Sequence, residues 1–375
     1  MVKRRTVLWG LLGAAISGCR AQGSAPLRVK FLSRSIPSQV LKAFDRQTHT
    51  QFESATSLVD IYQQLQWWEA QNAPPPPLWQ RWLSWGESTS SPPETYSVDT
   101  SLVTLSDPWL DHAIRQKLIQ PLPGFAPAAS LPEPWQRLLR RNQQGQSTAQ
   151  GDLWGVPYRT QGLMMAYQKA IFNHTKIISK WADLWRPELK GRIAMPNHPR
   201  LIIAIVLKAL GYSANDESVL SQDDVKEQLL ALYRQVRVFD SQAHLKALVN
   251  EDVWLTVGWS GDILATLVRY RRLGAVYPQE GTVLTSDLWV SPVDSELKDD
   301  AQSWLRFCWQ PDIATQISLS SYGLSPLFFL PGASIPEQLP IQMQQLPEGG
   351  EVLLPLSSRA QADLEILFSV DAHPE

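Results

Sequence analysis

The chain has 375 residues, 44% of them apolar and 19% charged, with a formal net charge of −2. That length exceeds what one core usually carries and favours two lobes. The near-neutral balance provides no basic surface for nucleic acid, and two cysteines, Cys19 and Cys308, exclude a disulfide framework.

Lys3, Arg4 and Arg5 precede the uncharged run 7–18, which Cys19 closes. As a helix that run would span about 18 Å, short of a bilayer core of roughly 30 Å. Residues 1–19 therefore read as a signal peptide and residues 20–26 as a tether. Residues 27–31 alternate apolar and charged side chains, which predicts an opening strand. Pro37 then precedes Val40, Leu41 and Phe44 at helical spacing, so an α/β lobe begins here. Residues 67–98 interrupt the pattern with Pro74 to Pro77, a Ser/Thr/Pro-rich run, and Trp67, Trp68, Trp79, Trp82 and Trp85. Proline forbids a continuous helix or central strand, so the stretch reads as an extended surface insertion.

Residues 102–105 predict a buried strand, followed by a helix with Asp107 as N-cap and Pro108 in its first turn. Residues 140–151 read as a polar loop. Gly155-Val156-Pro157-Tyr158 and residues 162–167 frame a crossing between lobes. A second α/β unit follows: a strand at 193–195, a helix at 201–210 stopped by Gly211, a strand at 253–258, and a helix at 263–273 capped by Asp262. A strand at 288–290, a helix around Trp304 that buries Cys308 as a free thiol, and a helix at 313–318 complete the reading.

Neither a cofactor nor a metal is indicated. The six histidines never pair at helical ligand spacing, and no cysteine cluster exists. Gly258-Trp259-Ser260-Gly261 lacks the second glycine of a nucleophile elbow, and no Gly-rich phosphate loop occurs. The expectation is a protein that is not an enzyme.

Ile16-Ser17-Gly18-Cys19 resembles a bacterial lipobox, which implies lipidation at Cys19 and a periplasmic location, anchored to a membrane; Arg4-Arg5 also resembles a twin-arginine export signal. The segment 181–191, Leu210-Gly211-Tyr212-Ser213, Gly258-Trp259-Ser260-Gly261, Tyr277-Pro278-Gln279-Glu280-Gly281, Gln310-Pro311-Asp312-Ile313-Ala314, Tyr322-Gly323-Leu324-Ser325-Pro326 and Val156-Pro157-Tyr158-Arg159 are together similar to segments of periplasmic spermidine/putrescine-binding proteins. The resemblance runs from about Leu27 to Pro326. It implies a two-lobe, periplasmic-binding-protein-like α/β fold of type II, with interleaved lobes joined by a hinge. Lobe 1 is expected from 27–155 plus about 282–330, and lobe 2 from 156–281 plus about 331–372. The implied function is the solute-binding lipoprotein of an ABC importer, which captures a polyamine or related small organic cation and docks on a membrane permease.

By the same resemblance the ligand contacts fall at Leu32, Ser33, Ser106, Asp107, Trp109, His198, Leu201, Trp259, Thr285, Asp287 and Tyr322. Trp259 and Asp287 keep the expected residue types. His198 and Leu201 stand where acidic residues are expected, and Thr285 and Leu32 where aromatics are. Each singled-out residue has a plainer role open to it: Asp262 and Asp107 as helix caps, Trp109 and Trp259 as packing residues, Arg159 as half of an inter-lobe salt bridge. Arg34, Arg159 and Arg200 lie near the implied cleft, so a carboxylate-bearing solute held by Arg34 or Arg159 is the alternative ligand class. A membrane-anchored interaction protein with a vestigial cleft is the third reading.

Overall fold

The computed structural model describes residues 26–72, 100–172, 177–297 and 299–369. Its strands are β1 (Arg28–Leu32), β2 (Gln51–Ala55), β3 (Leu102–Ser106), β4 (Ile119–Gln120), β5 (Arg140–Arg141), β6 (Asp152–Leu153), β7 (Val156–Gln168), β8 (Ile193–Met195), β9 (Val236–Phe239), β10 (Leu255–Trp259), β11 (Leu273–Val276), β12 (Thr282–Pro292) and β13 (Gly350–Val352). All but β5 and β6 belong to one sheet ordered β2-β1-β3-β12-β7-β10-β8-β9, with β11 on β7 and both β4 and β13 on β12.

Two strands set the architecture. The 13 residues of β7 extend roughly 40 Å, well beyond an ordinary strand. Its first stretch pairs antiparallel with β12 through Thr160–Ser286 and Arg159–Asp287, and its second pairs with β10 through Leu163–Trp259 to Tyr167–Leu255. Strand β12 likewise meets β3 at one end and β13 at the other. On the first half, β1 runs parallel to β2 and β3; on the second, β8 runs parallel to β9 and β10. The expected crossing at 155–167 is therefore continuous strand, and the chain adopts the two-lobe α/β fold.

Local chemistry explains the long strands. Pro157 lies beside a bulge where the register shifts between Asp287 and Leu288, which is how a proline fits inside a central strand. A side chain at Gly162 would run into Leu346 and Tyr277, so glycine there permits close packing over the seam. Side chains alternate across the sheet: Met164 and Ala166 join the larger apolar core, whereas Leu163 and Met165 join a second core on the other face. Trp154, Trp181, Trp289 and Trp304 are fully buried; Trp289 stacks on Tyr158 with ring centroids 4.5 Å apart, and Trp304 meets Phe44 edge-on at 5.0 Å. Each such ring contributes on the order of 3 kcal/mol through burial.

Two motif segments distant in sequence meet. The Glu280 carboxylate accepts hydrogen bonds from the backbone N–H groups of Trp181 and Ala182, and the Gly281 carbonyl accepts from the Trp181 indole. The helix Pro199–Ala209 begins at a proline and gives way to Gly211 at φ +84°, the left-handed conformation glycine tolerates best.

Several expectations need correction. The helix Leu58–Asn72 carries Trp67 and Trp68 and buries Ile61, Leu65 and Trp68 on one face, so no insertion begins at residue 67. The remainder of that stretch, including Trp79, Trp82 and Trp85, lies outside the described residues, as does Cys19. The loop at 140–151 is closed by pairing of β5 with β6. The helix expected at 263–273 is Ser260–Arg269, and Leu273 opens β11, where Gly274 lets the Tyr167 ring approach. Trp259, not Asp262, occupies its cap position; Asp262 is an exposed first-turn residue, favourably placed against the helix dipole. Ser106 likewise precedes a short turn in which Asp107 is already the first residue. Cys308 is a buried free thiol.

After β13 the chain forms a strap. Leu353 N–H donates to Leu284 O at 3.4 Å and Leu354 N–H to Asn215 Oδ1 at 2.8 Å. Asn215 also donates to Val352 O and to Glu351, and Glu217 receives both the N–H and the hydroxyl of Ser357. The helix Ser358–Ser369 then packs on the helix Pro199–Ala209.

Candidate functional site

A cavity of about 440 Å³ opens where the two halves face each other. The first half supplies Ser106, Asp107, Pro108, Trp109, Asp111, Leu138 and Arg141; the second supplies His198, Arg200, Leu201 and Trp259. Strand β12 adds Leu284 and Thr285, and the strap adds Leu353, Leu354 and Leu356, so the walls are largely apolar. An apolar chamber with a few convergent polar groups suits a small organic guest.

Three of those polar groups end in buried atoms that have no hydrogen-bond partner: Asp107 Oδ2, His198 Nδ1 and Arg200 Nε. Asp107 sits at the end of β3, where Thr285 on the neighbouring strand donates to its Oδ1 at 2.6 Å. Burial pushes its carboxyl up to about 7; the Thr285 hydroxyl, the Ser286 backbone N–H and, least, Arg141 oppose that rise, while Asp287 adds to it. His198 occupies the cap position of the helix Pro199–Ala209 but makes no capping bond with its side chain. Burial lowers its pKa, with nearby Arg200 adding to the effect, so the ring is neutral at pH 7. Arg200 donates to the carbonyls of Ala214 at 2.9 Å and Leu354 at 3.3 Å and to Asn215 Oδ1 at 3.1 Å. Burial pulls it down to about 10 against the pull of Glu217 and Glu351, which leaves it cationic at neutral pH.

Two tryptophans line the same cavity as Asp107. Trp259 ends β10, and Trp109 is held edge-on by Tyr62 with centroids 5.0 Å apart. An aromatic face near a carboxylate is a setting in which an ammonium group gains from both.

Behind the cavity lies an ion pair. Arg159 and Asp287 are opposite each other on β7 and β12, and the guanidinium reaches Asp287 Oδ2 with Nε at 2.7 Å and Nη2 at 2.5 Å. Their side chains are only 8% and 2% exposed. Burial drives the Asp287 carboxyl upward and Arg159 draws it back; burial also opposes the charge on Arg159, and Asp287 with Tyr158 and Asp262 together hold that charge in place. Gly323 forms the roof: a Cβ there would strike the Arg159 side chain, with Cδ 2.9 Å away. Tyr322 beside it adopts a left-handed φ of 52°, and Leu324 exchanges backbone hydrogen bonds with Thr160 at 2.8 and 2.7 Å.

The structure thus brings Ser106, Asp107, Trp109, His198, Leu201, Trp259 and Thr285 to one cavity. Asp287, expected to face the guest, is covered by Arg159 and lies outside the lining, as do Tyr322 and the exposed Asp262. Ser33 and Arg34 form an exposed turn after β1 and are not among the residues that line the cavity. Arg159 directs Nε and Nη2 to Asp287, which competes with the clamp role considered for it, and it is not among the residues that line the cavity. Sequence reasoning missed Arg141, a buried residue whose Nε donates to Leu138 O at 2.8 Å and Nη1 to Gly145 O at 3.2 Å. It also missed the strap, although Leu353-Leu354-Pro355-Leu356 is an apolar run that its proline keeps from being helix interior.

A family model described as bacterial extracellular solute-binding protein matches residues 89–332. The chain belongs to this family. Its members are binding proteins, not enzymes. Among relatives, the spermidine/putrescine-binding periplasmic protein of Salmonella typhimurium is 28% identical over 143 residues, 38% of this chain and 41% of that protein. The putrescine-binding periplasmic protein PotF of Escherichia coli is 25% identical over 247 residues, 59% of this chain and 63% of that one. The matched stretches therefore span about two-fifths to three-fifths of these relatives. Among solved structures, the spermidine/putrescine ABC transporter substrate-binding protein PotD of Streptococcus pneumoniae superposes with a TM-score of 0.70 at 18% identity, covering 93% of this chain and 99% of that one. This likeness establishes the fold. Among the described residues, no helix is long and apolar enough to cross a membrane, and no group of three or more His, Cys, Asp or Glu side chains could hold a metal ion.

Proposed function

We propose that this solute-binding protein is the extracytoplasmic receptor of an ABC importer and captures a polyamine-like small organic cation between its two lobes. Lobe 1 comprises 27–155 with about 282–330, and lobe 2 the segments 156–281 and 331–372. Cys19 carries a lipid that holds the receptor at a membrane, where it delivers its guest to a permease.

The observation that carries the ligand class is Asp107: a carboxyl group at a cavity that Trp109 and Trp259 also line, with one oxygen unpartnered. A charge-assisted bond from an ammonium group would satisfy that oxygen, and the aromatic faces would hold the adjoining methylenes. The naming of the relatives after spermidine and putrescine supports the same class. Asp287 takes no direct part in this reading.

Calorimetric titration with primary amines, from monoamines to spermidine, tests the proposal. Binding of at least one amine is expected, accompanied by a change in tryptophan fluorescence. Asp107→Asn should weaken it about tenfold or more. Failure of every amine to bind would refute the receptor's assignment to organic cations.

A further inference from the structure

The cavity is electrically balanced. Two carboxylates, Asp107 and Asp111, line it together with two guanidiniums, Arg141 and Arg200. Asp111 is already paired with Arg115 at 2.8 Å. A guest with an ammonium at each end would set its second charge against Leu201, the neutral His198 ring and a cationic Arg200, with no free carboxylate to receive it. Such a charge, desolvated and unpaired, opposes binding. Meanwhile Arg200 Nε, a donor, is buried without an acceptor. Beyond Arg200 an outer recess of about 860 Å³ continues past Arg115 and Arg137, with Asp111 and Glu217 also in its lining; Asp111 is held by Arg115 and Glu217 by Ser357.

We propose that the guest carries an amine at one end, which meets Asp107, and a hydrogen-bond acceptor at the other, a carboxylate or an acyl carbonyl, which meets Arg200 Nε. This rests on the receptor reading above and narrows it: the solute resembles a polyamine along its stem and at one terminus only. The strap supplies the apolar middle through Leu353, Leu354 and Leu356.

Three ligands sharing a five-carbon stem decide the matter on the unaltered protein: cadaverine, 5-aminopentanoate and N-acetylcadaverine, compared by titration calorimetry. One of the two acceptor-ended ligands should bind about tenfold more tightly than the diamine. A stronger 5-aminopentanoate identifies a carboxylate terminus, and a stronger N-acetylcadaverine an acyl terminus. Arg200→Met should erase the preference, by weakening the acceptor-ended ligand about tenfold and by relieving the repulsion that the diamine's second ammonium meets. Because Arg200 also fastens residues 214, 215 and 354, the ranking on the unaltered protein is the primary readout. Cadaverine binding as tightly as both others would overturn the inference and leave the amine receptor standing. No binding by any of the three, or by the wider amine series, would overturn both.

Discussion

Replacing Arg159 by Met should destabilise the protein by about 3–5 kcal/mol, because it leaves Asp287 buried without its counter-charge. Both side chains are more than nine-tenths buried and joined by two contacts within 2.7 Å, so solvent screening offers little relief. Asp287→Leu should cost a similar amount by stranding the guanidinium. The double variant should recover most of the loss, since an apolar pair of similar volume is often as stable as a buried ion pair. Urea unfolding of the four proteins gives the coupling directly, expected at several kcal/mol. Ligand affinity should change far less than stability, because neither residue lines the cavity. Singles that lose under about 1 kcal/mol, or a double variant whose loss is the sum of the singles, would refute the picture of a desolvated, mutually dependent pair.

Asp107 predicts a pH dependence of definite sign. Its folded-state value of about 7 lies above the ordinary 3.8, so its contribution to stability is fully present below pH 3.8 and is lost as pH rises through 7, by at most on the order of 4 kcal/mol. The difference in unfolding free energy between Asp107→Asn and the parent should therefore shift in the variant's favour from pH 4 to 8; a constant difference would contradict the burial argument. Asp287 and Arg141 face this carboxylate and modulate the midpoint. Amine affinity should rise over the same range, with proton release in calorimetry below pH 7, and Asp107→Asn should flatten both. Gly323→Ala should cost about 1–3 kcal/mol by overpacking Arg159, measured by urea midpoint, and in an Arg159→Ala background, which lacks both Cγ and Cδ, that added cost should disappear. Burial raises the Cys308 thiol pKa, so a thiol-specific reagent should modify it only at the rate of unfolding; rapid labelling of native protein would contradict its placement.

Much of the scaffold was legible because its signals are local. The alternation at 27–31, the apolar helix after Pro199 and its stop at Gly211 each follow from spacing and backbone preference. The crossing strand could be read from the segments flanking Gly155 and Gly162. The ion pair could not: Arg159 and Asp287 are 128 residues apart and meet only through the register of β7 on β12. For the same reason the kept residue type at Asp287 misled, since its identity says nothing of what covers it. Asp107 reads locally as a helix start, whereas the hydrogen bond that holds its carboxyl comes from Thr285 on a distant strand. Trp67 and Trp68 adjoin a proline-rich run in sequence, yet Ile61, Leu65 and Trp68 share a helical face, so tryptophan content alone is a poor guide to where that helix ends.

The strap has a consequence for biogenesis. Part of the chamber wall comes from residues 353–364, while Asp107 and Trp109 are made some 250 residues earlier. A nascent chain cannot enclose a guest until nearly all of this sequence has left the ribosome. The chamber is thus completed only after translation, when the strap and the helix Ser358–Ser369 dock on the helix Pro199–Ala209.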